Sequence, residues 1–225
     1  MKKVALLVAG GSGKRMNSAV PKQFEMLKGK PVLMHTFRAF LNYDPEMDFV
    51  LVLPETQFDY WMELTKKFSF NIKYTLAPGG DTRFCSVKNG LELVADDAIV
   101  FIHDGVRPLV SAETIANCFQ TALKEGNALP VVPVTESLRK MENDSNFSVD
   151  RTKYFLVQTP QTFQAAKIKN AYKQTANENF TDDASVLEST GEKIHLVNGN
   201  RENIKITYPH DLKTAGALMP APPEF

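Results

Sequence analysis

The sequence has no excess of charge of either sign and no long apolar run. Its 225 residues include 26 Lys and Arg and 26 Asp and Glu, so the formal net charge at pH 7 is zero. General nucleic-acid binders and proteins that coat acidic membranes are normally basic, so the zero charge argues against both classes. No segment reaches the roughly 18 apolar residues of a membrane-spanning helix. The apolar run at residues 4–9, which follows two lysines, is too short for the core of a signal peptide.

Cysteine is also scarce. The chain has two, Cys85 and Cys118, in segments with helical periodicity and without a CxxC spacing. Disulfide frameworks and zinc sites need more cysteines at defined spacings, so we interpret both residues as buried free thiols. Together with the missing signal core and membrane span, this predicts a cytoplasmic protein without a membrane or nucleic-acid partner.

What the sequence does contain is typical of a folded α/β protein. Hydrophobic residues make up 43% and charged residues 23%, which allows a core and excludes disorder along the whole chain. Short aliphatic and β-branched runs predict strands that are buried on both faces. They lie at residues 4–9, 49–53, 72–76, 99–103 and 128–132. Because apolar residues recur at helical spacing between them, we predict an α/β domain with a mainly parallel sheet.

The alternation is interrupted at residues 134–153, which are polar and contain the turn-like sequence Glu-Asn-Asp-Ser. We interpret this segment as a protruding hairpin, or arm, rather than as another strand–helix crossover. Helices are then predicted at 164–175 and 182–189, extended segments at 193–197 and 203–207, and a last helix with Pro209 in its first turn. Residues 1–218 are expected to form one domain that includes the arm, and residues 219–225 a disordered tail.

The loop after the first strand is rich in glycine and positive charge. Residues 9–16 have the sequence Ala-Gly-Gly-Ser-Gly-Lys-Arg-Met, and residues 1–30 contain seven Lys or Arg but a single acid. Successive glycines let backbone N–H groups approach a phosphate, and Lys14, Arg15 and Lys22 add charge beside them. The loop lacks the glycines of a P-loop or of a dinucleotide fingerprint. A plain structural turn is the alternative, but the local charge favours a polyphosphate clamp.

Two further loops follow predicted strands, and in α/β sheets ligands bind outside the carboxyl ends of the strands. Residues 78–83, Pro-Gly-Gly-Asp-Thr-Arg, lead into a helix and offer open amides and a carboxylate. Residues 103–108, His-Asp-Gly-Val-Arg-Pro, place Asp104 at the same edge. Asp104 is either a residue that braces the loop or a partner for ribose or Mg²⁺. We interpret His103 as a packed histidine rather than as a catalyst.

Seven motifs occur in the order and spacing of one enzyme family. They are AGGSGKRM at residue 9, PKQ at 21, GGDTR at 79 with a serine at 86, HDGVRP at 103, QTPQ at 158, TDDAS at 181 and NIKIT at 203. From about residue 3 to 218 the chain resembles the 2-C-methyl-D-erythritol 4-phosphate cytidylyltransferases, the cytidylyl-transferring enzymes of the non-mevalonate isoprenoid pathway. The ribitol-5-phosphate cytidylyltransferases of teichoic-acid synthesis share most of these motifs. Residues 149–154, VDRTKY, favour the isoprenoid enzymes.

The resemblance implies a Rossmann-like, mainly parallel sheet flanked by helices, of the nucleotide-diphospho-sugar transferase type. A protruding β-arm would clasp a second subunit and form a homodimer. The implied reaction transfers the cytidylyl group of CTP to 2-C-methyl-D-erythritol 4-phosphate and releases pyrophosphate. Mg²⁺ would be the cofactor, bound mainly by the CTP phosphates, and no protein ligand is assigned to it.

The resemblance also implies roles for individual residues. The cations that neutralise the phosphates during the reaction would be Arg15, Lys22 and Lys205. Cytosine and ribose would contact Ala9, Gly10, Gly11, Gly80, Asp81, Ser86, Asp104 and Gly105. The sugar-alcohol phosphate would contact Asp104, Arg107, Thr159, Thr181 and Lys205, with Ser137 and Arg151 reaching in from the arm of the second subunit.

Four of these residues also have a purely structural interpretation. Thr159 can belong to a rigid turn, Thr181 to a helix cap, Arg151 to an ion pair within the arm, and Lys205 to an exposed surface. A non-catalytic nucleotide-binding module is the alternative function of another class. It is disfavoured because simple nucleotide binding does not require three separate cations and a carboxylate.

The sequence departs from the family pattern at two of the assigned positions. Gly105 and Val106 stand where relatives often have two alanines, and we expect Gly105 to loosen the ribose contact. Ser137 stands where a threonine is usual, which keeps the hydroxyl.

Overall fold

The structure, a computed structural model, describes residues 1–10, 16, 20–174, 176–177 and 180–219. The strands are β1 (Lys3–Val8), β2 (Met26–Leu27), β3 (Lys30–Pro31), β4 (Asp48–Leu53), β5 (Thr75–Pro78), β6 (Ile99–Asp104), β7 (Asn127–Pro133), β8 (Leu138–Glu142), β9 (Ser145–Val149), β10 (Phe155–Val157), β11 (Gln161–Gln164) and β12 (Leu196–Asn198). The helices are α1 (Val32–Tyr43), α2 (Phe58–Lys67), α3 (Arg83–Glu92), α4 (Ala112–Glu125), α5 (Ala165–Ala171), α6 (Asp183–Glu188) and α7 (Pro209–Leu218). None of the helices in the described ranges is both long and apolar enough to cross a membrane.

Most of the strands form one sheet with the order β10-β7-β11-β6-β1-β4-β5, and β12 pairs with β7. β1 pairs in parallel with both β4 and β6, and β5 continues the parallel part beyond β4. β10 and β11 run antiparallel to their neighbours. The predicted mainly parallel α/β sheet is therefore confirmed. The register places Val8 opposite Asp104, so that β1 and β6 end side by side.

The central strands are apolar along their whole length because both faces of the sheet are covered. Ala5 and Leu7 of β1 belong to a core that includes residues of α1, α2 and α4, with Trp61 fully buried in it. Val4 and Leu6 point to the opposite face and belong to a second core, with residues of α3, α5 and α6. A strand alternates its side chains between two faces, so two apolar layers require a continuous apolar run.

The polar interruption contains the expected hairpin. β8 and β9 pair antiparallel, with Leu138 opposite Val149 and Glu142 opposite Ser145. Asn143 in the turn has a φ of 50°, a backbone conformation that asparagine tolerates better than most residues. Both strands are exposed except at Leu138 and Val149, which pair at the end away from the turn. The hairpin therefore contributes little to the cores of its own chain.

Some predicted boundaries were wrong. The third predicted strand, residues 72–76, is shifted to β5, because only from Thr75 onward does the chain pair with β4. The helix predicted at 164–175 is shorter, Ala165–Ala171, and residues 203–207 form no strand. β10 and β11 were not predicted as strands.

Two other predictions, the burial of Cys85 and the start of the tail, also need correction. Cys118 is buried, but Cys85 is only partly buried, and both are free thiols in the described structure. Met219, which we assigned to the tail, packs against a small core around Ile206. The remaining tail residues, 220–225, lie outside the described part of the chain.

Candidate active site

The carboxyl ends of β1, β5 and β6 meet at one edge of the sheet, beside a pocket of about 370 Å³. Of the residues predicted to contact the nucleotide or neutralise phosphates, this pocket is lined by Ala9, Gly10, Lys22, Gly80, Asp81, Ser86, Asp104 and Lys205. Gly11 and Arg15 lie outside the described residues, and so does Lys14. We call this cavity the nucleotide pocket.

A second pocket, of about 280 Å³, adjoins the first. It is lined by all five residues predicted to contact the sugar phosphate within one chain: Asp104, Arg107, Thr159, Thr181 and Lys205. The two pockets share Arg83, Asp104 and Lys205 in their walls. We call the second cavity the phosphate pocket. Its position allows two ligands to meet at the shared residues.

Asp104, the last residue of β6, lies at this junction with two cations on the same oxygen. Its Oδ2 is 2.9 Å from Nε of Arg107 and 3.1 Å from Nζ of Lys205. Burial opposes ionisation of Asp104, but the charges of Lys205, Arg107 and Arg83 outweigh burial and lower the pKa of this carboxyl. Asp104 is therefore an anion at neutral pH. It offsets the mutual repulsion of the cations that line the two pockets.

Lys22 reaches the nucleotide pocket from a 3-10 turn that is fixed to the end of β1. The neighbouring Gln23 is fully buried, and its Nε2 donates to the carbonyl oxygen of Ala9 at 2.8 Å. Lys22 is itself buried, and its Nζ donates to the carbonyl oxygen of Ile206 at 3.4 Å. Because Ile206 follows Lys205, this contact brings the two lysines to the same pocket.

Ser86 braces the loop that leads into α3. Its Oγ accepts the N–H of Gly80 at 3.0 Å and donates to the carbonyl oxygen of Thr82 at 2.9 Å. The hydroxyl of Thr82 caps α3 by accepting the N–H of Cys85 at 3.1 Å. A Cβ on Gly80 would clash with Cβ of Cys85, so the loop needs glycine there. Ser86 thus has a structural role in addition to its predicted contact with the nucleotide.

Gly105 packs against the end of β1 and is not among the residues that line the nucleotide pocket, and its expected effect on the ribose contact stays a prediction. A Cβ at this position would lie 2.8 Å from Cβ of Ala9 and 3.1 Å from Cδ1 of Leu33. The absence of a side chain therefore lets the loop pack tightly against the end of β1, where the N–H of Gly105 donates to the carbonyl oxygen of Val8. The residue that lines the nucleotide pocket is its neighbour Val106.

Thr181 lies in the wall of the phosphate pocket, just before α6. The helix cap that we considered for it is formed by Asp182 instead, whose Oδ1 accepts the N–H of Ser185 at 2.9 Å. Asp182 also accepts a hydrogen bond from Nε2 of Gln161 at 2.7 Å. The start of α6 is thereby tied to β11, which fixes the position of Thr181.

Arg83 lies in the GGDTR motif, and the sequence assigned it no role. Arg83 lines both pockets, and its two terminal nitrogens donate to Oδ1 and Oδ2 of the fully buried Asp183 at 2.7 and 2.6 Å. The hydroxyl of Tyr172 donates to the same carboxylate at 2.6 Å. An arginine directly before a predicted helix, in a loop expected to bind a ligand, was the available signal. Its partner, a hundred residues away, could not be found from spacing.

Ser137 and Arg151 lie apart from the other predicted residues. Both are exposed, and neither lines the nucleotide or the phosphate pocket of its own chain. Arg151 donates to the carbonyl oxygen of Thr135 at the base of the arm. Within one described chain the arm therefore does not complete the site.

The chain matches known proteins over almost its whole length. A family model described as 2-C-methyl-D-erythritol 4-phosphate cytidylyltransferase matches residues 3–221. The protein of that name from Bacteroides fragilis is 52% identical to this chain, over 97% of this chain and 100% of its own length. The one from Porphyromonas gingivalis is 50% identical, over 97% of this chain and 98% of its own length. A crystal structure of 4-diphosphocytidyl-2C-methyl-D-erythritol synthase from Anaerococcus prevotii is 27% identical, with a TM-score of 0.81 over 96% of this chain and 95% of that one. The chain belongs to the 2-C-methyl-D-erythritol 4-phosphate cytidylyltransferase family.

Proposed function

We propose that this enzyme transfers the cytidylyl group of CTP to 2-C-methyl-D-erythritol 4-phosphate, giving 4-diphosphocytidyl-2-C-methyl-D-erythritol and pyrophosphate. Family membership supports the reaction. The structural observation that carries the proposal is the pair of adjoining pockets with Lys205 and Asp104 in their common wall. CTP would occupy the nucleotide pocket, and the sugar-alcohol phosphate the phosphate pocket, so that the reacting groups meet at Lys205.

The reaction needs little chemical activation by the protein. An oxygen of the sugar phosphate attacks the α-phosphorus of CTP in line, and pyrophosphate leaves with the bonding electrons. The attacking phosphate is already an anion near neutral pH, so no general base is needed. The obstacle is repulsion between two phosphorylated reactants, together with the charge that builds up in the transition state. Lys22 and Lys205, which line the nucleotide pocket, are placed to offset both, and we assign Arg15 to the same task.

We propose Mg²⁺ as the cofactor, bound mainly by the CTP phosphates. Mg²⁺ usually keeps several waters and is bound through substrate phosphates and one or two carboxylates. Among the described residues, no group of three His, Cys, Asp or Glu side chains could bind a metal ion by itself. The preference of Mg²⁺ for substrate phosphates supports this proposal, and no protein ligand is assigned to the ion. When bound it would neutralise part of the triphosphate charge.

We also propose that the active form is a homodimer in which the arm contributes to the second subunit's site. The two strands of the arm are exposed apart from Leu138 and Val149, and the adjacent β10 exposes Phe155, Leu156 and Val157. Three consecutive exposed apolar residues on a strand are costly in water and typical of an interface. Ser137 and Arg151 would then reach the partner's phosphate pocket.

The direct test of the reaction is pyrophosphate release with CTP and Mg²⁺, in the presence of either sugar phosphate or of none. We expect release with 2-C-methyl-D-erythritol 4-phosphate and little with ribitol 5-phosphate. Release with ribitol 5-phosphate alone would identify the other transferase, and CTP binding without release would identify a non-catalytic module. Lys205→Ala should lose activity while Lys213→Ala, which removes an exposed lysine of α7, should retain it.

The shared site can be tested by mixing two impaired variants. Lys205→Ala inactivates the site of its own chain, whereas Arg151→Ala would inactivate the site of the second subunit. A mixed dimer of the two variants has one site with both defects and one intact site if Arg151 acts across the interface. We expect the mixture to regain activity that neither variant shows alone. If Arg151 acts within its own chain, no intact site forms and the mixture stays inactive.

A further inference from the structure

His103 is a fully buried histidine at the centre of the predicted site residues, although it lines neither pocket. Its Nε2 is 3.0 Å from the carbonyl oxygen of Arg107, and its Nδ1 is 2.9 Å from Oγ1 of Thr159. Its ring packs edge-on against Phe40, with centroids 5.1 Å apart. Both ring nitrogens therefore contact residues of the phosphate pocket.

The partners determine where the imidazole proton lies. A carbonyl oxygen can only accept, so Nε2 of His103 carries a proton and donates to Arg107. Burial lowers the pKa of His103 to about 4, so the ring is neutral near pH 7 and Nδ1 is unprotonated. Nδ1 then accepts the hydroxyl proton of Thr159, whose Oγ1 in turn accepts the backbone N–H of Asp104 at 3.1 Å. Each of these three hydrogen bonds therefore has one donor and one acceptor.

The hydrogen bonds close into a ring through Asn203. Nη1 of Arg107 donates to the carbonyl oxygen of Asn203 at 2.8 Å, and Nδ2 of Asn203 donates to the carbonyl oxygen of Thr159 at 2.8 Å. The hydroxyl of Thr159 donates to Nδ1 of His103, which completes the ring. The ring thus joins the end of β6, the turn at Thr159 and the segment that carries Lys205.

We infer that His103 is a positioning residue, which sets Arg107 and Thr159 in the phosphate pocket. This inference rests on the proposed function, since it assigns the phosphate pocket to the sugar phosphate. His103 does not touch the reactants. It acts through Arg107, whose carbonyl oxygen it binds and whose Nε pairs with Asp104 at 2.9 Å.

The test replaces His103 and separates the two substrates. His103→Phe retains a ring that can pack on Phe40 but removes both hydrogen bonds. We expect KM for 2-C-methyl-D-erythritol 4-phosphate to rise about 10-fold, because misplacement of Arg107 and Thr159 weakens their hydrogen bonds to the charged phosphate. KM for CTP should stay within about twofold, because Arg107 and Thr159 do not line the nucleotide pocket. Thr159→Val, which removes the hydroxyl at nearly constant volume, should raise the same KM.

Two further variants distinguish positioning from packing. His103→Gln carries an amide N–H near the position of Nε2 and should recover most of the affinity that Phe loses. Phe101→Leu disturbs the neighbouring ring on the same strand, which also packs on Phe40, and should lower stability without changing KM for the sugar phosphate. Failure of Gln to recover the affinity, or an equal rise in KM for Phe101→Leu, would overturn the inference.

The proposed function and this inference can fail separately. If the wild-type protein released no pyrophosphate with the sugar phosphate, the proposed function would be wrong. The proton assignment is decided independently by the ¹⁵N chemical shifts of the His103 imidazole. We expect a protonated Nε2 and an unprotonated Nδ1 at pH 7, and the opposite tautomer would overturn the inference even in an active enzyme.

Discussion

Arg83 and Asp183 form a two-pronged ion pair that connects the helix beside the nucleotide pocket to the helix beside the phosphate pocket. The two nitrogen–oxygen distances are 2.7 and 2.6 Å. Asp183 is fully inaccessible, whereas the side chain of Arg83 is 32% exposed and lines both pockets. A forked guanidinium–carboxylate contact fixes orientation as well as distance. The pair therefore keeps α3 and α6 in a defined relation across the site.

Removal of the carboxylate should destabilise the fold. In Asp183→Asn, the guanidinium of Arg83 and the hydroxyl of Tyr172 both lose their charged acceptor. Breaking one side of a buried ion pair typically costs about 3–5 kcal/mol, and we expect the lower end of this range because Arg83 is partly exposed and can be hydrated. Urea unfolding at pH 7 would measure the loss.

A matched control is available on the surface. Asp96 pairs with Lys169, but its carboxylate is largely exposed. Asp96→Asn should therefore leave the free energy of unfolding nearly unchanged. Equal losses for the two variants would show that the burial of Asp183 does not determine its contribution.

Lys22 is expected to act mainly on the chemical step. Its side chain is buried at the wall of the nucleotide pocket, and a preorganised charge of this kind is typically worth about 100-fold to 1,000-fold in rate. Lys22→Ala should lower kcat for pyrophosphate release by roughly that factor in the presence of saturating CTP. Lys30→Ala removes an exposed lysine nearby and should have no such effect. A wild-type rate in Lys22→Ala would exclude this lysine from the mechanism.

A substitution that removes the side chain of Ala9 should compensate for one that adds a side chain at Gly105. In Gly105→Ala the new Cβ would approach Cβ of Ala9 to 2.8 Å, which forces the ends of β1 and β6 apart. Overpacking of this kind typically costs about 1–3 kcal/mol, and KM for CTP should rise because Ala9 lines the nucleotide pocket. The double variant Ala9→Gly with Gly105→Ala should regain much of the stability. Urea unfolding and the KM for CTP would test both statements, and additive losses would contradict them.

The sequence was informative where a feature depends on one segment. Continuous apolar runs predicted β1, β4, β6 and β7, because each of these strands is buried on both faces. The loops at the carboxyl ends of β1, β5 and β6 could therefore be assigned to one edge of the sheet. Lys22, Asp104 and Lys205, from three separate motifs, are brought together there.

The sequence was uninformative where burial depends on distant polar partners. β11 contains Gln161 and Thr162, which are buried although glutamine and threonine are normally exposed. Gln161 is satisfied by Asp182 and by the N–H of Ala184, and no periodicity reveals such partners. Likewise, the side chain of Asn203 donates to the carbonyl oxygen of Thr159, and its own carbonyl oxygen accepts from Arg107. These distant partners leave no local pattern either, and the strand expected at 203–207 is not formed.

The buried imidazole of His103 predicts a specific loss of stability on the acid side. Burial lowers the pKa of His103 to about 4, whereas an exposed histidine in the unfolded chain has a pKa of about 6.5. Above pH 6.5 both states are neutral at this residue, and it makes no pH-dependent contribution. Between about pH 6.5 and 4 the unfolded chain binds a proton that the folded chain does not, so stability falls as the pH falls.

Comparison with His103→Phe isolates this contribution, because the variant retains Asp104, Arg107 and the other histidines. Between pH 7 and pH 5 the wild-type protein should lose about 2 kcal/mol more stability than the variant. The charge of Asp104 does not interfere, since its lowered pKa affects stability only at pH values below about 4. Urea unfolding of both proteins at the two pH values measures the difference. An identical pH dependence would mean that folded His103 takes up a proton, in which case Nδ1 could no longer accept the hydroxyl proton of Thr159 and the hydrogen-bonded ring would have to rearrange.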